Sequence, residues 1–139
     1  KGGFVMSTIC DYMSSPVISI NLDASGKNGI SKMLGNNVSS LLVKKDDEYV
    51  GIFTKTDWID MVLKEVCNPN TIKVSELMVS PIVTVDINDN IAKASKLIEK
   101  NHIRHLAVTD KAMIVGMFSV KDLEKYYCHL HDQSGIAHY

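Results

Sequence analysis

The chain has 139 residues, 45% hydrophobic and 22% charged, with a formal net charge of −1. That length fits one globular domain, or two small units with a core that needs no disulfide help. The balanced charge lacks the basic excess of a double-stranded nucleic-acid binder, and no apolar run approaches the roughly 20 residues of a membrane span, so neither nucleic acid nor membrane is an expected partner. Cys10, Cys67 and Cys128 are far apart, odd in number and without Cys-x-x-Cys spacing, which predicts free thiols in a reducing, cytoplasmic compartment. The opening Lys1-Gly2-Gly3-Phe4-Val5 carries no signal-peptide pattern and reads as a cut edge.

In chain order, a first strand is expected around Val17-Ile18. A helix follows with Ile30, Met33 and Leu34 on it, but with Gly26 and Gly29 inside it. Each interior glycine costs about 1 kcal/mol against alanine, so this helix is expected to start late and to fray. Val38 to Val43 reads as a buried strand. The polar Lys45-Asp46-Asp47-Glu48 turns the chain into a second strand ending at Phe53-Thr54. Trp58 to Val66 is a strongly apolar helix whose Trp58, Met61 and Val62 stripe is core or dimer interface, and Asn68-Pro69-Asn70 breaks it. The β-branched run Ile82-Val83-Thr84-Val85 is the next strand. A helix with Ile91, Ala94 and Ile98 inward, widened by Ala92 and Leu97, ends at Asn101-His102. Leu106-Ala107-Val108 reads as a buried strand, Asp110-Lys111 as a turn and Met113 to Phe118 as a returning strand. The last helix runs from Lys121 to Tyr127, with Leu123, Tyr126 and Tyr127 inward.

This order is one plan used twice. A shift of 65 residues aligns Met13-Ser14-Ser15-Pro16-Val17 with Met78-Val79-Ser80-Pro81-Ile82, without a gap. It aligns Val38 to Val43 with Ile103 to Val108. It also aligns Val50-Gly51-Ile52-Phe53-Thr54-Lys55-Thr56-Asp57 with Val115-Gly116-Met117-Phe118-Ser119-Val120-Lys121-Asp122. Three blocks in one register define an internal repeat. Each copy is strand, helix, strand, strand, helix. The crossover should leave its two strands parallel, and the next two should form an antiparallel hairpin. One copy cannot cover both faces of a three-stranded sheet. The reading is therefore α/β (α+β): two β-α-β-β-α repeats packed sheet to sheet with pseudo-twofold symmetry about a shared core. Repeat 1 takes residues 7–67, the linker 68–71 and repeat 2 residues 72–130, with tails at 1–6 and 131–139.

These residues resemble a CBS-domain pair, the tandem module named from cystathionine β-synthase. The resemblance covers Ser7 to about Leu130. It rests on the Met-Ser-Ser-Pro-Val and Met-Val-Ser-Pro-Ile openings, the Asn37 to Val43 and His102 to Val108 segments, and the two Gly-x-Phe-[Thr/Ser]-x-x-Asp endings. It implies a flat pseudo-twofold unit with two clefts between the sheets, where many members bind AMP, ADP, ATP or S-adenosylmethionine and some bind nothing. It further implies a homodimer and a regulated partner, either an attached or a separate effector domain. The sequence departs from the family at Ala107, where proline is common, and near Asp47 and Lys111, where glycine is common in the hairpin turn.

The chemistry of the endings fits that implication. Thr54 to Asp57 and Ser119 to Asp122 lie where a strand becomes a helix, and unpaired N–H groups at a helix start favour phosphate. The Thr54 or Ser119 hydroxyl can donate to a phosphate oxygen. The Asp57 or Asp122 carboxylate would repel phosphate but can accept two bonds from a ribose diol. The same [Thr/Ser]-x-x-acid spacing is also a capping box, and the two readings can hold together. Val17-Ile18 and Ile82-Val83 offer apolar surface and backbone groups for an adenine edge, with Ser39-Ser40 and Arg104-His105 at the other wall. Lys121 adds a cation beside Ser119, so the second site should prefer more phosphate charge. With an unperturbed pKa near 6.5, His105 would make that affinity pH-sensitive. Cys128-His129-Leu130-His131 reads as tail rather than a metal site, and Asp46-Asp47-Glu48 as a hairpin tip without the calcium-loop pattern. No nucleophile with a base, and no paired carboxylates, mark an enzyme. The function expected is a regulatory sensor of adenosine-type ribonucleotides, with no required cofactor or metal. The alternative is a ligand-free dimerisation module of the same fold.

Overall fold

The structure is a computed structural model that describes residues 7–64 and 68–134, the side chains of residues 133 and 134 excepted. Glu65 and Val66, at the end of the expected apolar helix, lie outside the described residues, as do Cys67 and residues 1–6 and 135–139 of the expected tails. A short 3-10 helix, Ile9–Asp11, leads into β1 (Ser19–Asn21), α1 (Gly26–Asn36), β2 (Ser40–Lys45), β3 (Glu48–Thr54) and α2 (Lys55–Lys64). A four-residue helix, α3 (Val74–Leu77), then leads into β4 (Thr84–Asp86), α4 (Ile91–Asn101), β5 (His105–Asp110), β6 (Met113–Ser119) and α5 (Val120–Ser134).

Each repeat forms one three-stranded sheet, ordered β1-β2-β3 or β4-β5-β6. β1 runs parallel to β2, and β4 to β5, across the helical crossover. The hairpins β2–β3 and β5–β6 are antiparallel, as the short turns require. Both carry an irregularity at the same place, Val43/Lys44 and Val108/Thr109. At the hairpin turns Asp46 (φ 53°), Lys111 (φ 51°) and Ala112 (φ 68°) adopt the left-handed conformation that glycine takes without strain.

The compact units do not follow the repeats as sequence blocks. One unit is Val17–Ile82; the other joins Lys1–Pro16 to Val83–Tyr139. The segment that precedes each repeat packs on the other repeat. Ile9 N–H donates to Asp89 O (3.0 Å), and Ser14 and Met117 exchange two backbone bonds (2.8 and 2.9 Å). In the same manner Val74 N–H donates to Ala24 O (2.8 Å), and Val79 and Ile52 exchange two (2.9 and 3.0 Å). The Gly-x-Phe glycines make this approach possible. A Cβ on Gly51 would lie 2.5 Å from Met78 Sδ, and one on Gly116 would lie 2.8 Å from Met13 Sδ and 2.9 Å from Ser14 O. The Met-x-Ser-Pro motif and the Gly-x-Phe motif are thus two halves of one contact.

Each unit has its own buried cluster. Ile20, Met33, Leu41, Val43, Phe53 and Val74 form one; Ile9, Val85, Ile91, Ala94, Leu106, Val108 and Phe118 form the other. Leu41 and Val43 share one face of β2. Leu42 on the opposite face is also fully buried, as is Ala107 in β5.

Several elements differ from the sequence expectation. α1 begins at Gly26, the position matching Ile91 at the start of α4, and both helices have 11 residues. It does not start late, because Ser25 caps it, accepting from Asn28 N–H. Its glycines sit against the core: a Cβ on Gly29 would lie 2.5 Å from the Phe53 ring. The strand expected at Ile82 to Val85 is formed by Thr84–Asp86 instead, following the parallel register Thr84↔Ala107. Tyr127 points outward and is about half exposed, and Ala92 is exposed. α5 continues through Ser134, past the point where a tail was expected.

Candidate functional site

In each repeat three stretches meet at the corner where the hairpin becomes the second helix. In the first, Ser40 is the register partner of Thr54, and Lys55 N–H donates to Ser39 O at 3.1 Å. Leu42 N–H donates to Ile18 O (3.0 Å), tying the lead into β1 to the same strand. In the second, His105 pairs with Ser119. Val120 N–H donates to Arg104 O (3.0 Å), and Ala107 N–H to Val83 O (3.1 Å). The corners therefore gather Ile18, Ser39, Ser40, Thr54 and Asp57 in one case, and Val83, Arg104, His105, Ser119, Lys121 and Asp122 in the other. Val17 and Ile82 stand one residue earlier, and no hydrogen bond among the described residues fixes them there.

The first corner forms the reciprocal cap that the spacing allows, and the second forms its carboxylate half. Thr54 N–H and Thr54 Oγ1 donate to Asp57 Oδ2 at 2.8 and 2.9 Å, and Asp57 N–H donates back to Thr54 Oγ1 at 3.2 Å. Ser119 N–H and Oγ donate to Asp122 Oδ2 at 2.8 and 3.3 Å. Both carboxylates use Oδ2 in these bonds, which leaves the second oxygen its acceptor capacity. Capping and ligand contact are therefore compatible at one residue.

Burial decides the electrostatics. Asp122 is 5% exposed. Desolvation pushes its carboxyl above the ordinary 3.8, opposed by the bonds from Ser119 and by Lys125. Asp57 is raised for the same first reason, with the Thr54 bonds lowering it and Asp60 raising it further. Burial, aided by Arg104 and Lys121, lowers His105 from 6.5 to about 4. The expected pH sensitivity of phosphate affinity is thus displaced: His105 is neutral near pH 7, and Arg104 and Lys121, both exposed, are the cations of the second corner.

The sequence reading missed the two lead-in helices. The signal was present, since Thr8 N–H donates to Asp11 Oδ2 and Lys73 N–H to Glu76 Oε2, both at 2.9 Å. Each is an acid three residues after a cap position, related by the same shift of 65. Among the described residues no group of three or more His, Cys, Asp or Glu could hold a metal ion. Cys128 to His131 lie on α5 rather than in a tail. Cys10 and Cys128 are free and exposed, whereas Cys67 lies outside the described residues. No helix among the described residues is long and apolar enough to cross a membrane.

Fold and corners define a tandem α+β pair with one equivalent strand-to-helix corner per repeat. Residues 9–64 and 74–129 each match the CBS domain; the chain belongs to the CBS-domain family. It is 27% identical over 143 residues to the mitochondrial CBS domain-containing protein CBSX3 of Arabidopsis thaliana, covering 94% of this chain and 69% of that protein. It is 35% identical over 92 residues to inosine-5′-monophosphate dehydrogenase of Thermoplasma acidophilum, covering 66% of this chain but 18% of that enzyme. Of two other curated archaeal relatives the chain spans about half the length. Among solved structures, a CBS-domain protein aligns with TM-score 0.79 at 30% identity, covering 89% of this chain and 99% of that one. A hexameric CBS-CP12 protein from bloom-forming cyanobacteria aligns with TM-score 0.81 at 25% identity, covering 88% and 73%. The dehydrogenase match is confined to a minor part of that enzyme, so the family assignment carries no catalytic activity with it.

Proposed function

We propose that this CBS pair is a regulatory sensor that binds an adenosine-type ribonucleotide at one or both corners. AMP, ADP, ATP and S-adenosylmethionine are the candidate ligands. One observation carries the reading: each corner sets a carboxylate with a spare oxygen beside a helix start and beside the backbone that leads into the first strand. Asp57 or Asp122 then accepts from the ribose diol through its second oxygen, and the Thr54 or Ser119 hydroxyl turns from the carboxylate to donate to phosphate at the helix start. Ile18 or Val83, with Val17 or Ile82 before it, receives the adenine edge. Ser39, Ser40 or Arg104, His105 form the facing wall. Lys121 and Arg104 favour the second corner for the more highly charged ligands. Self-association belongs to the same proposal, supported by the exposed Ile59, Val62 and Leu63 on α2 and by the hexameric relative. So does action on an effector, attached or separate, in a cytoplasmic compartment where Cys10 and Cys128 stay free.

Thermal melting with the four ligands tests the proposal. A ligand at 100 times its dissociation constant should stabilise the protein by about 2.7 kcal/mol. Asp122→Ala should weaken it by about 1.5–3 kcal/mol, tenfold or more, and erase the preference for ribo- over deoxyribonucleotides. Undiminished binding by Asp122→Ala would rule out the ribose role, and no shift with any ligand would leave a ligand-free interaction module.

A further inference from the structure

The two repeats differ most sharply where the second helix meets the lead-in helix. In the second repeat this place is filled by rings. Tyr12 and Tyr126 meet edge to face at 5.7 Å, Tyr12 and His129 lie 5.6 Å apart, and the Tyr12 hydroxyl is 2.7 Å from His129 Nδ1. The shift of 65 residues replaces Tyr12, Tyr126 and His129 by Leu77, Met61 and Lys64. In the first repeat the corresponding place, between α2 and α3, is an open groove of about 390 Å³. Its volume falls within the roughly 300–1,000 Å³ of ligand pockets.

The lining specifies an occupant. Met61 and Ile72 are buried and Leu77 half-buried, giving an apolar bed whose thioether suits a ring edge. Asp60, Lys64 and Glu76 are exposed and also line the groove, as does Asp57. Three carboxylates thus face one ammonium. Asp60 is close enough to raise the Asp57 carboxyl further above its usual value. In the second repeat the matching residues are Asp122, Lys125, Asp11 and His129, which leaves no such excess.

We propose that the α2–α3 groove is a second ligand site, and that it takes the ring of an aromatic amine. The ring replaces the phenol that Tyr12 supplies in the other repeat, its ammonium group faces Asp57, Asp60 and Glu76, and its polar far end faces Lys64. The groove shares Asp57 with the first corner, but its filling by an amine does not require a nucleotide there.

Trp58, the chain's single tryptophan, reports on it. A Cβ on Gly26 would lie 3.1 Å from Leu77, 3.2 Å from Ile72 and 3.2 Å from the Trp58 ring, so these three side chains converge beside the groove. Tyramine should change Trp58 emission saturably, with phenol and butylamine each weaker. Two variants complete the test. Met61→Tyr, Lys64→His and Leu77→Tyr together install the aromatic filling of the other repeat and should abolish the response. Asp60→Asn with Glu76→Gln, both at exposed positions, should weaken tyramine about threefold or more and leave phenol unchanged. No saturable response to tyramine, equal responses to tyramine and phenol, or an undiminished response in the charge variant would each overturn the proposal. Because no probe is a nucleotide, failure here leaves the corner reading untouched, and failure there leaves this one.

Discussion

Burial and the charges of Arg104 and Lys121 hold His105 at a pKa of about 4, against an ordinary 6.5. Between those values the unfolded chain binds a proton that the folded protein does not, so stability rises with pH across that window and is lost as pH falls through it. The full span corresponds to up to about 3 kcal/mol. Asp57 and Asp122 act in the opposite direction: their raised carboxyls bind protons more readily when folded, so acidification above pH 3.8 relieves their desolvation. The difference between parent and His105→Gln isolates the histidine. The variant should lose less stability than the parent between pH 6.5 and 4 in denaturant titrations, and identical slopes would show that His105 is not held neutral. None of this could be read from Arg104-His105 as a dipeptide, because burial is set by the pairing of His105 with Ser119. The carboxylates were legible, since the [Thr/Ser]-x-x-Asp spacing defines both the cap and the candidate contact. Only the geometry shows that one oxygen can serve each.

At the scale of elements, α1 shows how propensity misleads when taken alone. Gly26 and Gly29 read as weak points, yet the helix has the length and position of its glycine-free counterpart α4. A side chain at Gly29 would meet the Phe53 ring at 2.5 Å and Val74 at 3.2 Å, so the missing Cβ is what lets α1 lie close against the sheet and the lead-in helix. Gly35, on the same helix, has nothing within 4 Å of an added Cβ. The two glycines should therefore respond in opposite senses. Gly35→Ala should stabilise by about 0.5–1 kcal/mol through helix propensity. Gly29→Ala should destabilise by about 1–3 kcal/mol, because overpacking a closed core outweighs the same propensity gain. Chemical denaturation of both variants decides the matter; a stabilised Gly29→Ala would mean that propensity governs this helix after all. The strand, helix, strand, strand, helix order was readable because apolar periodicity is local. The frame of β4 was not, since it is fixed by pairing with β5 rather than by the β-branched run itself.

At the scale of the whole molecule, the repeat shift established that the chain is doubled but not which segment packs on which copy. Sequence adjacency suggests that Met13 to Pro16 opens the repeat it precedes. In the folded chain Met13 packs on Gly116 and Met78 on Gly51, so each motif completes the other copy. Ile9 and Val74 occupy matching positions in the two lead-in segments, and both are fully buried. Ile9 belongs to the cluster of Val85, Leu106 and Phe118, and Val74 to that of Ile20, Leu41 and Phe53. Ile9→Ala should cost about 2–5 kcal/mol, and Val74→Ala a similar or smaller amount, through lost burial and the cavity left behind. The location of the damage matters more than its size. In native-state hydrogen exchange, Ile9→Ala should lower protection in β4, β5, β6 and α4 more than in β1, β2 and β3, and Val74→Ala should show the reverse. If each substitution instead loosened the repeat that follows it in the chain, the reciprocal exchange of lead-in segments would be refuted. If the pattern holds, neither repeat is a complete unit when cut from the other at the linker, and dissecting this module requires both copies in one chain.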